Sequence, residues 1–80
     1  MYIPELSPPA LSLHIGLYKH FKGNTYRVLG VGLHSETFEE YVVYQAQYGQ
    51  KLIYIRPLNM FLGTVQINGK TIQRFQHIES

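Results

Sequence analysis

His20, His34 and Glu36 are the side chains best suited to proton transfer or metal ligation, two imidazoles and a carboxylate. Their spacing is not that of a one-element motif such as H-E-x-x-H, which sets its ligands on one helical face. They converge only if the strands carrying them pair with their far ends close together. The alternative is ordinary: His20 as a half-buried strand residue, with His34 and Glu36 in a loop that caps backbone groups beside Ser35 and Thr37. Ser35 has no evident base to activate it, and a hydroxyl without a base is a poor nucleophile. Arg56 can pair with Glu36 or Glu40, or grip a carboxylate or phosphate with two parallel bonds. Gln45 falls with His20, His34, Glu36 and Arg56 along one expected rim. Tyr18, Tyr26, Tyr44, Tyr48 and Tyr54 either wall a groove for a peptide, cation or base, or fill a small core with their hydroxyls at its edge. Tyr18 and Tyr44 are the two expected to be exposed. Gly30-x-Gly32 lacks the third glycine and the helix of a phosphate-binding loop.

Short strands must position these groups. Tyr18 and His20 alternate with Leu17, Lys19 and Phe21 at period two, and Gly23-Asn24 turns the chain. Residues 25–33 read as a second strand whose apolar parity switches near Gly30, predicting a bulge or bend there or at Gly32. A polar connection covers residues 34–40. A third strand follows, with Val42, Tyr44, Ala46 and Tyr48 on one face and Val43, Gln45 and Gln47 on the other. A fourth covers residues 52–56 and ends at Pro57, and one 3₁₀ turn is expected over residues 58–61. Asn68-Gly69 between alternating apolar residues is the strongest hairpin signal in the chain. The pattern predicts an all-β fold, a small SH3-like barrel of five or six short antiparallel strands, with an OB-like barrel as the other arrangement. Pro4, Pro8 and Pro9 argue against helix, so residues 1–15 read as an extended arm preceding a single β-barrel domain over residues 16–78.

Composition narrows the function classes. Eighty residues make one domain with a small core. Hydrophobic residues are 45% of the chain and aromatics 14%, with seven Tyr, enough apolar surface to fold. Only 15% is charged, so the surface is more adhesive than usual and a homodimer is compatible with it. The net charge of +2 is far from the dense basic patch of a typical nucleic-acid binder. Every acidic residue is Glu, which disfavours a hard-cation site built on Asp. Without cysteine there are no disulfides or thiolate metal sites. The first residues lack the basic start and apolar run of a signal peptide, and no stretch reaches the length of a membrane span. A cytoplasmic location is expected.

The stretch Gly16–Phe61 resembles a small bacterial family described as a domain of unknown function. The likeness is carried by His20-Phe21-Lys22-Gly23, Tyr26 and Val28-Leu29-Gly30, then His34-Ser35-Glu36-Thr37, then Arg56-Pro57-Leu58 with Met60-Phe61. Asn68-Gly69-Lys70 and Arg74-Phe75 also resemble the family's end. The resemblance implies an SH3-like barrel and no established activity. The functional expectation is a non-catalytic module, without cofactor or metal, binding a protein or peptide through Tyr18, His20, His34, Ser35, Glu36, Tyr44, Gln45 and Arg56. An RNA- or other nucleic-acid-binding barrel is the first alternative. A small-ligand or metal site at His20, His34 and Glu36 is the second.

Overall fold

Tight turns cut the chain into antiparallel strands, as seen in residues 4–79 of a computed structural model. In order these are helix α1 (Pro8–Ser12), strands β1 (Gly16–His20), β2 (Thr25–Leu33), β3 (Glu40–Ala46) and β4 (Ile53–Pro57), helix α2 (Leu58–Phe61), then β5 (Thr64–Ile67), β6 (Lys70–Gln73) and β7 (Phe75–Glu79). The main sheet has the order β4-β3-β2-β1-β7, and β5 and β6 form a separate hairpin. A meander whose last strand returns to its first gives the small all-β, barrel-like architecture that the sequence predicts. No helix among the described residues is long and apolar enough to cross a membrane.

Local chemistry accounts for the boundaries. Gly23 takes φ 106° in the β1–β2 turn, where its N–H donates to the His20 carbonyl at 2.7 Å. Asn68 (φ 50°) and Gly69 (φ 77°) give the left-handed pair that a tight hairpin needs. The β2–β3 register shifts between Val28 and Gly30, the expected bulge. It lets both Val28 and Val31 pack on the core side.

Three expectations are corrected. Seven strands are present among the described residues rather than five or six, because Arg74 breaks the ladder and β7 then pairs with β1. The turn after Pro57 is α-helical, closed by Leu62 N–H donating to the Leu58 carbonyl at 2.9 Å. The arm is not extended throughout: Pro8–Ser12 is helical, since prolines at the first helical positions lose no bond there. Ser7 caps it, its Oγ accepting from Ala10 N–H at 3.3 Å. The Ser7 N–H and Oγ in turn donate to the two carboxylate oxygens of Glu40 at 2.7 and 2.6 Å, tying the arm to β3. Met1–Ile3 of that arm lie outside the described residues.

One face of the sheet buries Tyr18, Val28, Val42 and Tyr44 against Ala10, Leu58, Phe61 and Phe75. Phe61 stacks on Phe75 with centroids 4.2 Å apart and planes 11° from parallel. Tyr18 and Tyr44 meet Phe61 at 5.4 and 5.5 Å. Removing the Phe61 ring leaves these aromatics facing a void. Phe61→Ala is expected to cost about 3–5 kcal/mol, read as a large fall in the urea midpoint at unchanged slope. A loss under about 1 kcal/mol would mean that the ring is not the keystone of this core.

Candidate functional site

The rim expected from the sequence divides into separate places. His20 ends β1 opposite the start of β2, whereas His34 follows the far end of β2. Eight steps along a strand at ~3.3 Å each separate the ends of β2 by about 26 Å, so His20 does not meet His34 and Glu36. The His34 ring instead closes its own turn, Nδ1 accepting from Glu36 N–H at 3.1 Å and Thr37 N–H at 3.2 Å. Ser35 and Glu36 are exposed in that turn. Gln45 lies on the opposite sheet face from Tyr44, its Nε2 donating to the Lys51 carbonyl at 3.0 Å. No group of three His, Asp, Glu or Cys suited to a metal occurs among the described residues.

Tyr18 and Tyr44 are not exposed. They retain 6% and 4% of their surface, because both share the core-facing parity of Val28 and Val42. The Tyr18 hydroxyl donates to the His14 carbonyl at 2.6 Å, and burial pushes its pKa up. The Tyr44 hydroxyl accepts from Arg56 Nε at 3.2 Å. Tyr44 therefore orients Arg56 from beneath instead of offering a surface.

His20 and Arg56 do come together, through Phe75. The His20 ring meets Phe75 edge-on at 4.8 Å, and the Arg56 guanidinium lies 5.5 Å from the centroid of the same ring. Arg74, next to Phe75 in the chain, joins them. Its Nε is buried and has no hydrogen-bond partner. Among the described residues no carboxylate pairs with Arg56 or Arg74. The imidazole of His20 registers this surplus of cations. Burial first, then the charges of Arg56, Arg74 and Lys22, hold its pKa below the usual value. Its Nδ1 accepts from Lys22 N–H at 3.2 Å, which fixes the ring.

Tyrosines extend the surface beside the cations. Tyr54 stacks on Tyr44 at 5.8 Å, and Tyr26 shares a 2.7 Å bond with Tyr48. Burial, followed by the Tyr48 bond, pushes the Tyr26 hydroxyl up to about 12, so it stays neutral at physiological pH. Tyr48 and Tyr54 are exposed. On the other side of His20 a groove of about 460 Å³ is lined by Lys19, Phe21, Ile72, Gln73 and Gln76. Arg74 is the residue that the sequence reading missed as a site member. A strand break that brings its charge to bear on His20 is a tertiary fact, and only its nearness to Phe75 in the chain hinted at it.

A family described as a protein of unknown function, DUF1653, matches residues 16–77. The chain belongs to this family. It is similar to the crystal structure of a DUF1653 protein from Bordetella bronchiseptica, with 30% identity over 86% of this chain and 91% of that one, at a TM-score of 0.79. No curated protein matches. The DUF1653 match spans the residues that build the cation cluster, from His20 through Arg56 to Arg74 and Phe75.

The depressed His20 pKa links protonation to stability. The unfolded chain, with an imidazole near 6.5, binds a proton before the folded one does. The His20 contribution is therefore complete above about pH 6.5 and is lost as the pH falls toward the folded-state value. Glu40 acts in a lower window: its pKa is held down by Ser7, so its contribution is lost only in the carboxylate range. Denaturation midpoints should fall between about pH 7 and 5, and His20→Asn should flatten that part of the profile. An NMR titration placing the His20 midpoint at or above that of free histidine would contradict the cation-rich setting.

Proposed function

We propose that this DUF1653 domain is a small non-catalytic binding module for a protein or peptide segment, working in a bacterial cytoplasm. The segment seats a carboxylate against Arg56 and Arg74, and its neighbouring apolar atoms lie over the exposed tyrosines. The observation that carries this reading is the partnerless buried Nε of Arg74, beside a second arginine and a histidine with no acid among them. A desolvated guanidinium donor without an acceptor is costly, and a carboxylate is the acceptor that matches its geometry. Arg56 is already oriented by Tyr44 and Phe75, so little ordering is lost on binding. The groove beyond His20 gives an extended segment a path to follow. Bound negative charge also favours His20 protonation, so binding should tighten as the pH falls below about 7.

The test is an NMR titration of the labelled protein with short Glu-rich peptides and their Gln-substituted counterparts. Shifts confined to His20, Arg56, Arg74 and Phe75, seen with the Glu series alone, are the expected outcome. Arg56→Gln with Arg74→Gln should weaken binding by roughly 10- to 100-fold, the loss of one or two charge-assisted bonds. Equal shifts with both series, or none, would remove the carboxylate reading. Short RNA bound at the same residues, with affinity falling steeply as salt rises, would replace it with the nucleic-acid alternative.

A further inference from the structure

Strand β4 forms one edge of the five-stranded sheet. Its backbone accounting is specific. Ala46 N–H donates to the Leu52 carbonyl at 2.9 Å, which makes Ala46–Leu52 a hydrogen-bonded position of the β3–β4 pair. Antiparallel ladders alternate, so Tyr44–Tyr54 and Val42–Arg56 are the next bonded positions in the observed register. Residues 52, 54 and 56 thus spend their backbone groups on β3. Ile53 and Ile55 point theirs outward, and so does Pro57, whose missing N–H costs nothing at an edge.

We propose that β4 pairs with β4 of a second copy of this chain, antiparallel about a two-fold axis through Tyr54. In that register Ile53 lies opposite Ile55 of the other copy, and the reverse. These are the residues with outward-facing N–H and C=O, so each such position exchanges both its bonds. The contact is isologous and closed, and it uses up the β4 edge of both copies, β7 being the other edge of each sheet. The outer-face side chains agree with it. Ile53 and Ile55 are 60% and 65% exposed, and pairing brings the isoleucines of both copies together. Ile55 also walls an apolar hollow of about 170 Å³ with Gly32, Leu33, Tyr41 and Val43, which the new neighbour would cover.

Other registers fail. Moving the axis to Ile55 sets Ile53 against Pro57, which has no N–H to give. Moving it to Ile53 sets Ile55 against Lys51, whose φ of 55° is not that of a strand. Charge does not oppose the chosen register, since Arg56 falls opposite Leu52 and Lys51 opposite Pro57. The stretch Leu52–Ile55 carries none of the charged residues that usually guard an exposed edge. A single strand pair buries less than the ~1,200–2,000 Å² of stable complexes, so the dimer exchanges with monomer and fills as concentration rises.

Sedimentation of the full chain from roughly 10 μM to 1 mM is the test, a span covering weak association. The average mass should climb from 9.3 kDa toward twice that value, and the Ile53 and Ile55 amides should gain exchange protection over the same range. Ile53→Lys with Ile55→Lys, both on the exposed face, should hold the mass at the monomer value. A wild-type chain that stays monomeric, with both amides exchanging freely at every concentration, would overturn the proposal. So would a dimer that survives the double substitution. The amide readout in the wild-type chain stands even if the double variant folds poorly.

Discussion

The parallel stack of Phe75 on Phe61 is the contact on which the rest of this molecule depends. Phe75 begins β7, the strand that returns to β1, and Phe61 ends the helical turn that lies across the sheet. Their rings join the last strand to the middle of the chain, with Tyr18 and Tyr44 edge-on around them. Aromatic pairs in such geometries add specificity beyond the area they bury. In a chain this short few other side chains reach full burial. Loss of either ring would loosen the packing of β7 on the core, and loss of Phe75 would remove the ring beneath Arg56.

The same ring therefore joins the core to the cation cluster. One edge of Phe75 contacts His20, and Arg56 lies over it. Arginine tolerates such a place better than lysine, because its flat, weakly hydrated head stacks on aromatic surface. Even so, a second arginine and a histidine share the neighbourhood, with no acidic residue among them to balance the charge. Nearby carboxylates are used elsewhere. Glu40 is occupied by Ser7, and Glu39 accepts the Tyr41 hydroxyl at 2.9 Å. Uncompensated charge held beside an aromatic ring is poor economy for folding alone.

Much of the fold was legible because its signals are local. Asn68-Gly69 marked a hairpin, the parity switch marked the bulge before Gly30, and alternation sorted Val42, Tyr44 and Ala46 onto one face. What alternation cannot say is which face another element will cover. Tyr18 and Tyr44 carry hydroxyls and read as surface, yet α2 and β7 close over them, and neither lid has a pattern of its own. The helix in the arm was hidden for a different reason. Prolines terminate helices but also begin them, and only the Ser7 cap decides between the two. The site was half legible. His20 and Arg56 stood out by type, but their meeting and the arrival of Arg74 depend on a long return connection. His34 and Glu36, only two positions apart in sequence, remain within one turn.

The two sheet faces end with different duties. The inner face is exhausted by the aromatic core, and its remaining polar groups are those left around Phe75. The outer face keeps Ile53 and Ile55 exposed on a strand whose free backbone groups lie at the same two positions. Coincidence of apolar side chains and free hydrogen-bonding groups on one edge is what soluble β proteins ordinarily avoid. Here Pro57 and the left-handed Lys51 bound the edge at either end, so the sticky segment is too short to propagate. A short, bounded and self-complementary edge favours a closed pair over a fibre. That pair would set Tyr54 and Arg56 of each copy against Tyr54 and Leu52 of the other, so self-association through β4 and the proposed use of Arg56 as a ligand contact would be coupled on one strand.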